Sequence, residues 1–163
     1  MVRNITASDF DFIYKLYMHP QVNPYLLYER MDAALFIPIY KDLLEKNIIY
    51  VYQPEDELAG MFKIIHQQHR NSHVGYLGGL ALHPSFAGKG YGLKMMAAII
   101  ELGKQMGLMR MELSTAVTND KAISLYEKIG FAKEGVLRKY TWLKSENRFL
   151  DEVVMAYLYP EKN

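Results

Sequence analysis

Leu82-His83-Pro84-Ser85-Phe86-Ala87-Gly88-Lys89-Gly90-Tyr91-Gly92 is the stretch on which the fold turns. A β-rich run ends at Pro84, glycines follow at alternate positions 88, 90 and 92, and an apolar-periodic segment opens at Tyr91. Glycines between a strand and a helix let main-chain N–H groups converge on a ligand, and the helix N-terminus adds a favourable dipole. The loop therefore reads as an anion cradle suited to a pyrophosphate. It lacks the third glycine of the dinucleotide pattern and the Gly-Lys-Ser/Thr ending of a P-loop. Taken alone it is equally a flexible strand-to-helix turn with no ligand.

Working outward, the N-terminal half predicts strands and helices in alternation. Val2 to Thr6 reads as a strand, and Ser8 precedes a helix carrying Phe12, Leu16 and Tyr17. His19-Pro20 and Asn23-Pro24 stop that helix, because proline disfavours the α conformation in the residue before it. A second helix covers Met31 to Lys46, and strands follow at Ile48–Tyr52, Ala59–Gln67 and His73–His83 as an antiparallel meander.

Beyond the loop the spacing predicts a helix from Tyr91 to Met106, with Met95, Ile99, Leu102 and Met106 on one face. Arg110–Thr115 is a strand, and Asn119 is placed to cap a helix Asp120–Ile129 that Gly130 closes in the left-handed conformation. Strands Phe131–Leu143 and Leu150–Leu158 end the chain. The expected class is α/β (α+β), a mixed, largely antiparallel central sheet flanked by helices, in a single domain over residues 1–163.

Composition narrows the chemistry. Half of the 163 residues are hydrophobic and 23% are charged, enough for a packed core, and a net charge of +1 argues against a nucleic-acid partner. Cysteine is absent, which excludes disulfides, thiolate zinc sites and a thiol nucleophile. No apolar run reaches signal-peptide or membrane-span length, so a cytoplasmic protein with no membrane partner is expected. His66, His69 and His73 fall on and beside a polar hairpin without acidic companions, and no metal is expected.

Leu82 to Gly92 resembles the acyl-CoA signature of the GNAT superfamily of N-acyltransferases: a strand ending in proline, then Arg/Gln-x-x-Gly-x-Gly/Ala, then a helix. Asn119-Asp120-Lys121-Ala122-Ile123-Ser124-Leu125-Tyr126-Glu127-Lys128-Ile129-Gly130-Phe131 is similar to the family's Asn-x-x-Ala-x-x-x-Tyr-x-x-x-Gly-Phe block, in the expected order. Arg110–Leu113 and the tail with Glu134, Gly135, Tyr140, Asp151 and Met155 look like bacterial amino-acid or amine acetyltransferases. The resemblance implies a GNAT-like fold and direct transfer of the acetyl group of acetyl-CoA to a primary amine of a small molecule such as an amino acid. The alternatives are a protein N-terminal or lysine acetyltransferase, or a non-catalytic acyl-CoA sensor. A homodimer is admitted.

The resemblance also implies residue roles. Leu80, Ala81 and Leu82 would pair with the pantetheine arm, and Ala87, Gly88, Lys89, Gly90, Tyr91 and Gly92 would hold the pyrophosphate. The family's Arg/Gln at the head of that loop is Ala87 here, so one side-chain contact is lost while the backbone cradle remains. Asn119 would lie by the arm, and Tyr126 would protonate the departing thiolate as general acid; by periodicity alone Tyr126 is a packed aromatic. Tyr25 and Tyr28 fall in the region that lines the family's substrate cleft. Gly75 to Leu80 contains no carboxylate, which leaves Glu112 or a water relay as base. Glu134 and Asp151 read either as amine-binding or as structural carboxylates.

Overall fold

The computed structural model describes residues 1–161. The chain runs β1 (Val2–Asn4), α1 (Phe10–Tyr17), α2 (Ala33–Lys46), β2 (Ile49–Tyr52), β3 (Gly60–His66) and β4 (Val74–Leu82). It continues through α3 (Tyr91–Gln105), β5 (Arg110–Ala116), α4 (Asp120–Ile129), β6 (Ala132–Leu143) and β7 (Arg148–Leu158). The strands form a mixed seven-stranded sheet in the order β1-β2-β3-β4-β5-β7-β6. Pairs β1–β2, β2–β3, β5–β7 and β6–β7 are antiparallel, and β4–β5 is parallel. This is the expected α/β class. Two compact units divide the chain: Met1–Ile64 with Gly79–Tyr91, and Ile65–Gly78 with the segment from Gly92 onward.

In the first unit the chain leaves β1 through a capping box rather than through Ser8. Asp9, only 5% exposed, accepts hydrogen bonds from the Thr6 amide at 2.7 Å and from the Thr6 hydroxyl at 3.1 Å. The Arg3 guanidinium clamps the same carboxylate with two bonds of 2.7 and 3.0 Å. Tyr40 of α2 then donates to the Thr6 carbonyl, tying α2 to this corner. With its entry set, α1 buries Ile13, Leu16 and Tyr17 against Phe36 of α2, Val51 of β2 and Met61 of β3. The helix ends at Tyr17, ahead of His19-Pro20 as expected.

In the second unit α4 has the expected bounds, and Gly130 closes it at φ +110°. The buried face of α3 differs from the expected one. Met95, Met96, Ile99 and Gly103 lie deepest, while Leu102 and Met106 sit at the margin. The rotation has a cause at Gly103: the Tyr159 hydroxyl, donating to the Ile100 carbonyl at 2.9 Å, fills the space a side chain at 103 would take. A glycine counted as neutral in a periodicity reading here marks the closest approach.

The Asp9 network gives a pH-dependent prediction. The hydrogen bond from Arg3 holds the Asp9 carboxyl below its usual range, burial opposes this, and the Thr6 bonds add to it. A depressed folded-state pKa contributes stability that is complete above the unfolded value of about 4 and is lost as pH falls through the folded value. Asp9→Asn should therefore cost about 1–3 kcal/mol at neutral pH. In urea titrations the gap between the two proteins should close below about pH 4.

Candidate functional site

The glycine loop is built by the turn before it. His83 Nδ1 accepts from the Ser85 amide at 3.2 Å and bonds the Ser85 hydroxyl at 2.7 Å. The Phe86 and Ala87 amides close a short 3-10 turn on the His83 and Pro84 carbonyls. After that turn the backbone reverses hand twice, at Gly88 (φ +73°) and Gly90 (φ +82°), and a Cβ at either position would meet no atom within 4 Å. The amides of Gly88, Lys89 and Gly90 have no acceptor among the described residues. Main-chain donors left unpaired in an open loop at the N-terminal end of a fifteen-residue helix are what an anion needs. The Lys89 ammonium folds back onto the Ser85 carbonyl at 3.0 Å, which braces the loop.

The other expected residues of the first unit separate into two groups. Leu80, Ala81 and Leu82 are the last residues of β4, with Ala81 buried. Tyr28 packs edge-on against Tyr17 with ring centres 5.1 Å apart, and the Lys63 ammonium lies 5.6 Å from its ring centre. Asn23 orders this corner by donating to the Tyr17 and Tyr28 carbonyls, both at 2.8 Å. Tyr25 stays outside the cluster, 58% exposed.

In the second unit Tyr126 of α4 is buried, beside Ile123 and with the Phe131 ring centre at 5.9 Å. Its hydroxyl makes no hydrogen bond to any described residue. Burial, with Tyr76 adding to it, pushes the phenol pKa far up, so the group keeps its proton through neutral pH. Gly92, at the start of α3, lies against Leu125 of α4, 3.4 Å from where its Cβ would stand. Asn119 occupies the N-cap position but does not cap through its side chain. Its amide donates instead to the Thr115 hydroxyl at 3.1 Å, because that acceptor on β5 lies within reach.

Glu112 is already engaged, accepting from Gln67 at 3.0 Å and from Arg110 at 2.9 Å. Glu134 takes both Arg110 terminal nitrogens at 2.9 Å, and Asp151 accepts from the Lys139 amide at 2.8 Å, so both are engaged within the protein. A polar chain unforeseen in the sequence runs beside them. Tyr76 bonds Ser114 at 3.3 Å, Ser114 donates to Glu152 at 2.6 Å, and Thr141 donates to the same carboxylate at 3.2 Å. Its one sequence signal was the alternation along β5, where Glu112 and Ser114 share a face opposite the buried Met111 and Leu113.

Tyr126→Phe deletes a hydroxyl that bonds no described residue, so its unfolding free energy should match the parent within about 0.5 kcal/mol. Thermal and urea unfolding measure this directly.

Residues 10–131 match the model of the acetyltransferase (GNAT) family. The uncharacterized N-acetyltransferase YoaA of Bacillus subtilis is 26% identical over 155 residues, covering 87% of this chain and 84% of its own length. N-alpha-acetyltransferase 30 of Schizosaccharomyces pombe is 31% identical over 117 residues, 63% of this chain and 78% of its own. Among solved structures, the spermidine N-acetyltransferase of Vibrio cholerae in complex with CoA and spermine superposes with a TM-score of 0.84 at 21% identity, covering 97% and 94% of the two chains.

Proposed function

The chain belongs to the acetyltransferase (GNAT) family, and we propose that it moves the acetyl group of acetyl-CoA directly to the primary amine of a small molecule such as an amino acid. Acyl transfer to an amine is the activity shared by the relatives above. The finer reading rests chiefly on one observation: the open, donor-lined loop at Gly88–Gly90 at the head of α3. The whole chain is read as one acetyltransferase domain, since the family match passes through segments of both units. The cytoplasm is kept as its compartment.

In this reading acetyl-CoA supplies a thioester already activated for acyl transfer. The amides of Gly88, Lys89 and Gly90, with the start of α3 at Tyr91 and Gly92, take the pyrophosphate. Ala87 contributes backbone alone. Leu80, Ala81 and Leu82 offer main-chain groups to the pantetheine arm, and the family resemblance keeps Asn119 as a further cofactor residue. Tyr126 holds a proton on its unpaired hydroxyl for the sulfur that leaves, and burial keeps that proton in place. Arg110 and Gln67 already engage both oxygens of Glu112, which favours a water relay over Glu112 as the route by which the amine loses its proton.

Two substitutions test this. Gly90→Asn tolerates the left-handed backbone and places its side chain in open space, so the protein should fold while acetyl-CoA affinity falls by about tenfold or more in calorimetry. Unchanged affinity would remove the loop from the cofactor site. Tyr126→Phe should lose about 10²- to 10⁴-fold in turnover while acetyl-CoA affinity changes little. Near-parental turnover would leave Tyr126 as a packed aromatic.

A further inference from the structure

A second group of unpaired donors lies in the first unit, away from the glycine loop. Lys63 of β3 is 6% exposed, and no carboxylate or hydrogen-bond acceptor among the described residues pairs with its ammonium, which keeps only a small contact with solvent. Tyr17, at the end of α1, is fully buried, and its hydroxyl has no hydrogen-bond partner. Both converge on Gly79, the left-handed residue (φ +54°) inside β4. The Lys63 Cε and the Tyr17 oxygen each lie 3.0 Å from where a Cβ on Gly79 would stand. Tyr28 closes the group, with its ring under the ammonium.

Burying a cation without a counter-charge is costly, and so is burying a hydroxyl without an acceptor. Here the hydroxyl is buried outright and the ammonium nearly so, and both lack the same thing within the protein: an acceptor, best a charged one. The surroundings supply none. Burial and the like charge of Lys46 lower the pKa of Lys63, and the nearby Asp42 carboxylate is taken by Lys46 at 2.7 Å.

We propose that Lys63 and Tyr17 receive the carboxylate of the acceptor, which makes the substrate an amino acid or another amine carrying a carboxylate close to its amino group. The inference rests on the acyl-transfer reading above and identifies its second substrate. Gly79 immediately precedes Leu80–Leu82, the segment assigned to the pantetheine arm, which is uncharged. The anionic end of acetyl-CoA is assigned to the glycine loop, so the anion received at Gly79 comes from the acceptor. A polyamine, by contrast, would bring positive charge against a buried ammonium with no carboxylate to offset it.

The test compares amino acids with the amines that lack only their carboxylate, and with spermidine, by steady-state kinetics with acetyl-CoA and by calorimetric binding to the CoA-loaded protein. The parent should favour each amino acid over its decarboxylated partner by about tenfold or more in kcat/KM. Lys63→Met should abolish that preference, chiefly by raising KM for the amino acids, and Lys63→Arg should retain it. Met fills the same stem volume without a buried charge, so Lys63→Met should be at least as stable as the parent. Equal or better use of decarboxylated amines or spermidine by the parent overturns the assignment, as does a preference that survives in Lys63→Met. Carboxylate-dependent binding lost in Lys63→Met but never followed by acetyl transfer would support the receptor and sink the acyltransferase reading. Absence of carboxylate-dependent binding in the parent sinks the receptor alone.

Discussion

The carboxylate of Asp9 determines how the first unit is assembled. One buried side chain accepts from the Thr6 amide and hydroxyl and from both ends of the Arg3 guanidinium. It thereby sets the angle at which the chain leaves β1 and enters α1, and Tyr40 carries the constraint to α2. Two turns further along α1, Tyr17 arrives at Gly79, and Phe36 of α2 packs against the Tyr17 and Tyr28 rings. A misplaced first turn would move Tyr17 away from Lys63. Local capping and the most unusual polar cluster of the protein are thus linked through one rigid helix.

Both proposed anion sites are local devices, as a chain of net charge +1 would require. The loop after β4 uses main-chain dipoles, whereas the group around Gly79 uses a full charge and a phenol. The two suit different ligands. A pyrophosphate is large, well hydrated and satisfied by many weak donors at a surface, while a single carboxylate is small enough to be matched by two buried donors.

What could be read from the sequence was what depends on neighbouring residues. The glycine spacing at 88, 90 and 92, the bounds of α4 and the left-handed Gly130 come from interactions a few positions long, and the structure has them where expected. Asn119 was legible as a position but not as a contact, because Thr115 competes for its side chain across the bend from β5. The face of α3 was misjudged because Tyr159, distant in sequence, occupies the space at Gly103. Tyr17, Lys63 and Gly79 come from α1, β3 and β4, and Tyr76, Ser114 and Glu152 from three other strands or strand segments. No spacing rule connects such residues; only the closing of the sheet does.

Ala87, standing where the resemblance expects Arg or Gln, has a consequence for how the loop would respond to its medium. An arginine side chain grips phosphate as a unit charge, and dissolved ions weaken that grip steeply by competing for both partners. Backbone amides are partial charges fixed in direction and closely apposed to what they hold, and a mobile ion atmosphere has little room to intervene. In the proposed cofactor site, recognition at this loop would depend more on the shape of the cradle than on its field, and its affinity would decline only gently as ionic strength rises.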